Sequence, residues 1–164
     1  MKKILIVSDT HGYNETLWQV IKKEKPFDKL VHCGDFEGSP SMLEAQVDCD
    51  VHIVAGNNDF GGGLRPMCTF SIGRHKVVLV HGHRYRLWSD LSSLSYLAME
   101  NDADIVMFGH LHIPVVETID GITLINPGSL TYPRQSPHVP TYIIMTVDDK
   151  GDATYEVKHW GQGD

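Results

Sequence analysis

Long apolar runs are absent from this sequence, which excludes one class of protein at once. A helix that crosses a bilayer needs about 20 apolar residues, and no stretch approaches that length. The apolar stretch near the N-terminus, Ile4–Val7, has four residues, whereas the core of a signal peptide has roughly 7–15. We therefore expect a cytoplasmic protein with no membrane partner.

Basic charge is also scarce, since 14 lysine and arginine residues stand against 21 aspartate and glutamate residues, for a formal net charge of -7. Long nucleic acid is not expected as the main partner, because binding it requires a basic face that neutralises phosphates. A small anionic substrate is compatible with this charge, since a bound metal ion supplies a local positive field.

Cysteine is rare, and the signatures of two enzyme classes are missing. The three cysteines have no Cys-x-x-Cys spacing, which indicates buried thiols in a reducing compartment rather than a disulfide framework. The sequence contains neither a P-loop nor a Gly-x-Ser-x-Gly motif, so nucleotide-driven and serine-hydrolase chemistry are not expected. Histidine, by contrast, is abundant, with ten residues.

The length of 164 residues predicts one domain over residues 1–160, followed by a frayed tail over 161–164. In the first third, short β-branched runs alternate with helical patterns in the order β-α-β-α-β, which is typical of a parallel sheet. We expect helices to begin at Asn14, at Ser39-Pro40 and at Asp90 or Ser92.

The pattern after Val115 is different, because apolar and polar residues alternate between turn signals. Asp120-Gly121 and Asp149-Lys150-Gly151 are such signals, and they predict antiparallel hairpins. The oligomeric state stays open, and a homo-oligomer is compatible with the sequence.

Polar residues follow five of the apolar runs in a repeated pattern. In chain order these segments are Ser8-Asp9-Thr10-His11, Gly34-Asp35, Gly56-Asn57-Asn58-Asp59, His81-Gly82-His83 and Gly109-His110-Leu111-His112. Ligands of parallel sheets bind outside the carboxyl ends of the strands. We therefore expect these side chains to converge at one edge of the sheet.

Carboxylates and imidazoles collected in this way indicate divalent metal ions such as Zn, Mn, Fe or Ni. The candidate ligands are Asp9, His11, Asp35, Asn57, His81, His110 and His112. They are too many for one zinc ion and fit two ions about 3.5–4 Å apart that share a bridging carboxylate. For Asn57 alone, a plain turn role is the alternative.

In this order, Asp9-x-His11, Gly34-Asp35, Gly56-Asn57-x-Asp59, His81 and Gly109-His110-x-His112 resemble the calcineurin-like metallophosphoesterases. The small size, the His-Gly-His segment and Asn126-Pro127-Gly128-Ser129 are similar to the compact bacterial and archaeal phosphodiesterase branch. The resemblance covers almost the whole chain. It implies an α/β fold in which two packed mixed β-sheets are flanked by helices, a four-layer sandwich.

The resemblance also implies the chemistry. Asp9, His11, Asp35 and His112 would hold one metal ion, and Asp35, Asn57, His81 and His110 the other, with Asp35 as the bridge. A metal-bridging hydroxide would attack a small phosphodiester substrate. The expected cofactor is two divalent ions, Mn²⁺ first, with Ni²⁺, Fe²⁺, Co²⁺ and Zn²⁺ as alternatives.

One position departs from the pattern of many members, which have a proton-donating histidine where this chain has Asn58. An amide cannot act as a general acid, so monoesters are expected to be poor substrates unless another group supplies the proton. His83 is the nearest candidate in sequence, and Asp59 is expected to orient a ligand. Arg84 is the expected contact for a substrate phosphate, with a plain surface charge as the alternative.

Two other function classes are alternatives to a phosphodiesterase. Some relatives serve as non-catalytic scaffold subunits in coat assemblies, but these have lost ligands, whereas all seven positions are retained here. Dinuclear amidohydrolases need a longer barrel and begin with a His-x-His motif. The sequence therefore favours the enzyme.

Overall fold

The computed structural model describes residues 1–161, and over that range it contains ten strands and three helices. The strands are β1 (Lys2–Val7), β2 (Lys29–His32), β3 (Asp50–Ile53), β4 (Met67–Ile72), β5 (His75–Val80), β6 (Ile105–Met107), β7 (Pro114–Ile119), β8 (Ile122–Pro127), β9 (Thr141–Val147) and β10 (Ala153–His159). The helices are α1 (Glu15–Glu24), α2 (Pro40–Glu44) and α3 (Ser92–Glu100). Of the predicted tail, residues 162–164 lie outside the described range.

The first sheet has the strand order β10-β9-β1-β2-β3. Strands β1, β2 and β3 are parallel neighbours, with Ile4 opposite Lys29 and Leu30 opposite Val51. The predicted β-α-β-α-β arrangement is therefore confirmed. Strands β9 and β10 form one of the predicted antiparallel hairpins.

The second sheet has the order β4-β5-β6-β8-β7. Its centre is parallel, through β5, β6 and β8, and its two edges are antiparallel. Strand β7 forms the other predicted hairpin with β8. Strand β4 was not predicted, because Met67–Ile72 is a half-exposed edge strand whose pattern is set by pairing with β5.

The two sheets pack face to face, and a shared apolar core joins them. Ile6 of β1 and Leu79 of β5 lie in the same buried cluster. On the outer faces, Leu17 of α1 packs with Leu5, and Leu94 of α3 packs with Val78. This four-layer arrangement confirms the expected fold class. The expectation that the polar segments meet at one edge of one sheet is wrong, because they come from two sheets.

The helices begin where the sequence predicts, but their first turns are not capped as expected. The side chains of Asn14 and Ser39 precede α1 and α2 without making a capping hydrogen bond. Of the two expected starts of α3, the structure shows Ser92, with Leu91 at the N-cap position. Asp90 Oδ1 accepts hydrogen bonds from the backbone N–H and the hydroxyl of Ser92. Within residues 1–161, no helix has the length and apolar character that a membrane crossing requires.

A buried carboxylate ties α1 to β1 and to the β9–β10 hairpin of the first sheet. Glu24 is 4% exposed, and its Oε1 accepts hydrogen bonds from Tyr142 Oη at 2.7 Å and Lys158 Nζ at 2.9 Å. Lys3 Nζ lies 3.2 Å from Oε2. Burial opposes the charge, but the two lysines and the tyrosine outweigh burial and lower the pKa of Glu24.

We expect Glu24→Gln to reduce the free energy of unfolding by about 1–3 kcal/mol at pH 7, because it removes a charge that faces two lysines. The folded-state pKa is lowered, so this stabilisation is present above the ordinary glutamate pKa of about 4.3 and is lost as the pH falls through the folded value. Urea unfolding at pH 7 and near pH 3 measures both effects. Glu44→Gln, at an exposed position, is the control, and an equal loss at both pH values would contradict the prediction.

Candidate metal centre

The site is built from the loops that follow β1, β2, β5 and β6, and its backbone is unusual. Five of the residues that carry its side chains have positive φ angles: Asp9 53°, His11 50°, Asp35 56°, His110 69° and His112 59°. Non-glycine residues rarely adopt this left-handed conformation, and where it clusters it marks functional sites. The tight turns aim successive side chains into one space beyond the carboxyl ends of strands from both sheets.

Two carboxylates and three imidazoles meet in that space. Asp9 Oδ1 lies 3.2 Å from His112 Nε2 and 3.7 Å from the Nε2 atoms of both His11 and His81. Asp35 Oδ2 lies 3.3 Å from His81 Nε2 and 3.7 Å from His11 Nε2. These donors form two groups able to hold a metal ion, Asp9-His11-His112 and Asp9-Asp35-His81.

All three imidazoles turn the same nitrogen toward the centre. His81 Nδ1 lies 2.8 Å from the carbonyl oxygen of Cys33, and His112 Nδ1 lies 2.7 Å from that of Tyr132. His11 Nδ1 lies 2.8 Å from Glu37 Oε2. Each partner only accepts hydrogen bonds, so each Nδ1 carries a proton and donates it. A neutral ring then presents the lone pair of Nε2 to the centre, as a metal ligand does.

Two buried atoms at the middle of the group fit a cation. Asp9 Oδ1 and His81 Nε2 have no hydrogen-bond partner among residues 1–161. A buried carboxylate oxygen or imidazole nitrogen left in this state is costly, and a divalent ion satisfies both atoms. The donor set and its tautomers therefore fit the metal ions that the sequence predicts.

The charges of the two carboxylates also suit a bound metal ion. Burial alone would raise the pKa of Asp9, but the imidazoles of His11 and His112 outweigh it and hold that pKa far below its ordinary value. Burial likewise opposes ionisation of Asp35, yet His81 and then Asn58 lower its pKa to about 2. Contact with Asp9 raises the pKa of His11. Both carboxylates are thus ionised, and a metal ion would replace the protons that the imidazoles otherwise bind.

Two glycines let the backbone approach the carboxylates. A Cβ atom added at Gly56 would collide with the side chain and backbone of Asp35, and one added at Gly109 would collide with Asp9 and Ser8. Only glycine leaves room for the loops after β3 and β6 to close over these side chains. This close packing explains the glycines that the sequence places in both segments.

Asn58 and Asp59 both act on Asp35. The Asn58 backbone N–H donates to Asp35 Oδ1 at 2.8 Å, and Asn58 Nδ2 donates to Asp35 Oδ2 at 3.0 Å. The carboxylate of Asp59 accepts hydrogen bonds from the backbone N–H groups of Asp35, Gly56 and Glu37. Asp59 therefore lies where a residue that orients a ligand is expected.

The other predicted residues lie around this group at different depths. His110 is half-buried with its ring 5.2 Å from that of His81, and its backbone N–H donates to Asp9 Oδ2. His83 has its ring 5.5 Å from that of His81, and its Nδ1 is buried without a hydrogen-bond partner among the described residues. Asn57 is exposed. Burial, and then His81, lower the pKa values of both His83 and His110.

Arg84 stays a prediction as the contact for a substrate phosphate. It is exposed and lines a surface pocket of about 410 Å³ together with Arg86 and the N-terminus of α3. Burial, then His81 and Arg84, lower the pKa of His83, so the charge of Arg84 acts on that imidazole. Arg134 also lies beside the site, since its Nη1 donates to the carbonyl oxygen of His110 at 3.4 Å.

Sequence reasoning missed the roles of three residues that hold the centre in place. Glu37 fixes the ring of His11, and Ser129 Oγ donates to the carbonyl oxygen of Asp9 at 2.7 Å. Asn126 adds a bond from Nδ2 to the carbonyl oxygen of Gly109. The Asn-Pro-Gly-Ser segment was a visible signal for Ser129 and Asn126, but nothing in the sequence distinguishes Glu37 from a surface acid.

Comparison with known proteins identifies the family. Residues 1–150 match the calcineurin-like phosphoesterase superfamily domain. YsnB, a probable metallophosphoesterase of Bacillus subtilis (strain 168), is 35% identical over 149 residues, which are 89% of this chain and 85% of that protein. The chain therefore belongs to the calcineurin-like phosphoesterase superfamily. Membership supports a phosphoesterase hydrolase and implies divalent metal ions.

Solved structures share the fold. A conserved uncharacterized protein of Streptococcus pneumoniae TIGR4, described as a predicted phosphoesterase, has a TM-score of 0.80 at 27% identity over 96% of this chain and 98% of its own. An archaeal phosphodiesterase has a TM-score of 0.73 at 25% identity over 95% and 99%. Vps29 from Entamoeba histolytica in complex with Zn²⁺ has a TM-score of 0.77 at 23% identity over 96% and 98%, which shows the fold alone.

Proposed function

We propose that this protein is a metal-dependent phosphodiesterase that uses two divalent ions, Mn²⁺ first, to hydrolyse small phosphodiesters. The observation that carries the proposal is the pair of buried, unpartnered atoms, Asp9 Oδ1 and His81 Nε2. They lie among imidazoles whose Nε2 atoms face two carboxylates. The likeness to an archaeal phosphodiesterase supports the choice of diesters.

The ligand assignment follows the sequence expectation. Asp9, His11, Asp35 and His112 would hold one ion, and Asp35, Asn57, His81 and His110 the other. When bound, such ions lower the pKa of a water molecule and stabilise negative charge on phosphoryl oxygens. The chain supplies the fixed geometry that this chemistry requires.

Asn58 determines which esters suit the site. Its side-chain amide is engaged with Asp35 Oδ2, and an amide has no proton to give a leaving group at neutral pH. Esters whose leaving groups depart as stable anions need no such proton. We therefore propose diesters with good leaving groups as the preferred substrates, with His83 as the proton donor for poorer ones.

A non-catalytic scaffold of the same fold is the second candidate. The fold likeness to Vps29 is compatible with it, but a scaffold does not need three imidazoles held in one tautomer around ionised carboxylates. Each of these groups is costly to bury without a ligand. The arrangement is better explained by an enzyme.

Activity should disappear on treatment with a chelator and return best with a transition metal among Mn²⁺, Ni²⁺, Co²⁺, Zn²⁺ and Mg²⁺. With the restored protein, we expect bis(p-nitrophenyl) phosphate to be hydrolysed at least ~10²-fold faster than an alkyl monoester such as ethyl phosphate, because the ethoxide leaving group needs an acid and p-nitrophenolate does not. Measurement of kcat/KM for both esters, with p-nitrophenyl phosphate as the matched monoester, tests this. Faster hydrolysis of the alkyl monoester, or activity that a chelator leaves unchanged, would contradict the proposal.

A further inference from the structure

Trp88 is a large apolar side chain that the fold leaves at the mouth of the metal centre. It is 61% exposed, in the turns between β5 and α3, and its ring lies 6.5 Å from that of His110. Burying a tryptophan contributes to stability, and the core of this protein does not use the ring in that way. Trp88 lies beside a proposed metal ligand and not over the core, so its ring is available to a bound molecule.

Arg134 holds a cation against that ring. Its guanidinium carbon lies 5.7 Å from the centre of the Trp88 ring, within cation–π distance. Its backbone N–H donates to the carbonyl oxygen of His112 at 3.0 Å, and Nη1 donates to that of His110. None of the ion pairs among residues 1–161 includes Arg134. An arginine placed beside a phosphate-processing centre, with no carboxylate partner there, is suited to an anion.

Aromatic rings also lie beside His11. Tyr132 is 47% exposed, with its ring 5.5 Å from that of His11, and Tyr13 packs edge-on against it. The carbonyl oxygen of Tyr132 accepts the Nδ1 proton of His112. One short segment, 132–134, therefore places a ring beside His11 and a guanidinium beside His110, and it is tied to the centre through His112.

We propose that Trp88 and Arg134 bind a planar aromatic ester group and the adjoining charge of the substrate, so that phosphodiesters with an aromatic substituent are the preferred class. This inference rests on the proposed function and names its substrate class. The shared chemistry is a flat ring next to a monoanionic phosphoryl group, which an aryl ester or a nucleoside ester supplies. If Trp88 only supported His110, its loss would affect every ligand alike.

The test compares three monoanions that mimic diesters: ethyl phenylphosphonate, ethyl methylphosphonate and the adenosine 5′-ester of methylphosphonate. Dissociation constants are measured by calorimetry on the manganese-loaded protein. We expect both aromatic probes to bind ~10-fold more tightly than ethyl methylphosphonate, in line with one stacked ring. Tighter binding of ethyl phenylphosphonate would indicate an aryl ester as the substrate, and tighter binding of the adenosine ester would indicate a nucleoside ester.

Trp88→Leu should bring the ratio of the affinities for the aromatic probes and for ethyl methylphosphonate close to one, whereas Trp88→Phe should keep most of that ratio. Arg134→Ala should weaken binding of all three anions. Tyr96→Ala, which removes an equally exposed ring on α3, is the control and should change nothing. A ratio that Trp88→Leu leaves intact, or an equal loss of affinity for all probes in that variant, would overturn the inference. Failure to bind manganese or to hydrolyse any ester would instead overturn the proposed function.

Discussion

Asp35→Asn should lose bound metal and reduce turnover by ~10³-fold or more, the largest effect expected of any single substitution. Asp35 Oδ2 lies 3.3 Å from His81 Nε2 and 3.7 Å from His11 Nε2, so one oxygen is close to a ligand of each proposed ion. The substitution keeps the size of the side chain and removes the charge that would offset two cations. Asparagine also tolerates the left-handed φ of 56° at this position, so the fold should survive.

Metal content per chain and kcat, measured together, check this result. Glu117→Gln, at an exposed position on β7, is the control and should retain both ions. Asp9→Asn distinguishes the two carboxylates, because the donor groups of the structure share Asp9. If Asp35→Asn retains two ions and near-normal turnover, Asp35 is not the bridge. If Asp9→Asn loses both ions while Asp35→Asn loses one, the bridge is Asp9.

His83→Ala should reduce kcat by ~10²–10⁴-fold for diesters with alkyl leaving groups, the usual effect of removing a positioned acid. His83 lies beside His81 with Nδ1 buried and unpartnered among the described residues, and the amide of Asn58 is engaged elsewhere. For p-nitrophenyl diesters the loss should be much smaller, because that leaving group needs no proton. Metal content should stay unchanged.

The test measures kcat for a series of diesters whose leaving groups increase in pKa, and it reads the effect from the slope of log kcat against that pKa. His138→Ala, at an exposed position, is the control and should leave the slope as it is in the unaltered protein. An equal loss across the series means that His83 positions the phosphoryl group and that water supplies the proton. A loss of bound metal means that His83 is a ligand.

The polar residues that follow the strands were predictable because the pattern that marks them lies within a few residues of sequence. Asp9 and Asp35 each follow a run of buried, mostly apolar residues with one residue between, and a carboxylate at such a place needs a partner. Parallel strands bring their carboxyl ends to the same side of a sheet. The local pattern together with this rule is therefore enough to predict that Asp9 and Asp35 lie close together. The same reasoning gave the β-α-β-α-β segment and both hairpins, which the structure confirms.

Contacts that depend on pairing between distant segments were not predictable. Strand β4 exists through its pairing with β5, and its own pattern is too weak to show it. Glu37 fixes His11 across 26 positions of sequence, and the two imidazoles of His11 and His112 meet across 101. The division of the polar segments between two sheets could be expected only from the resemblance, because periodicity records which face is buried and not which sheet lies against it.

The sequence by itself thus determined the fold class, the polar residues at the strand ends and the type of chemistry that those residues support. Only the tertiary structure decided that Arg134 lies against His110, and that each of three imidazoles presents Nε2 to the centre. The physical reason is that a side chain's direction depends on the turn that follows its strand and on acceptors from other segments. Cys33 offers its carbonyl oxygen to His81 across 48 positions, and no local pattern records such a partner.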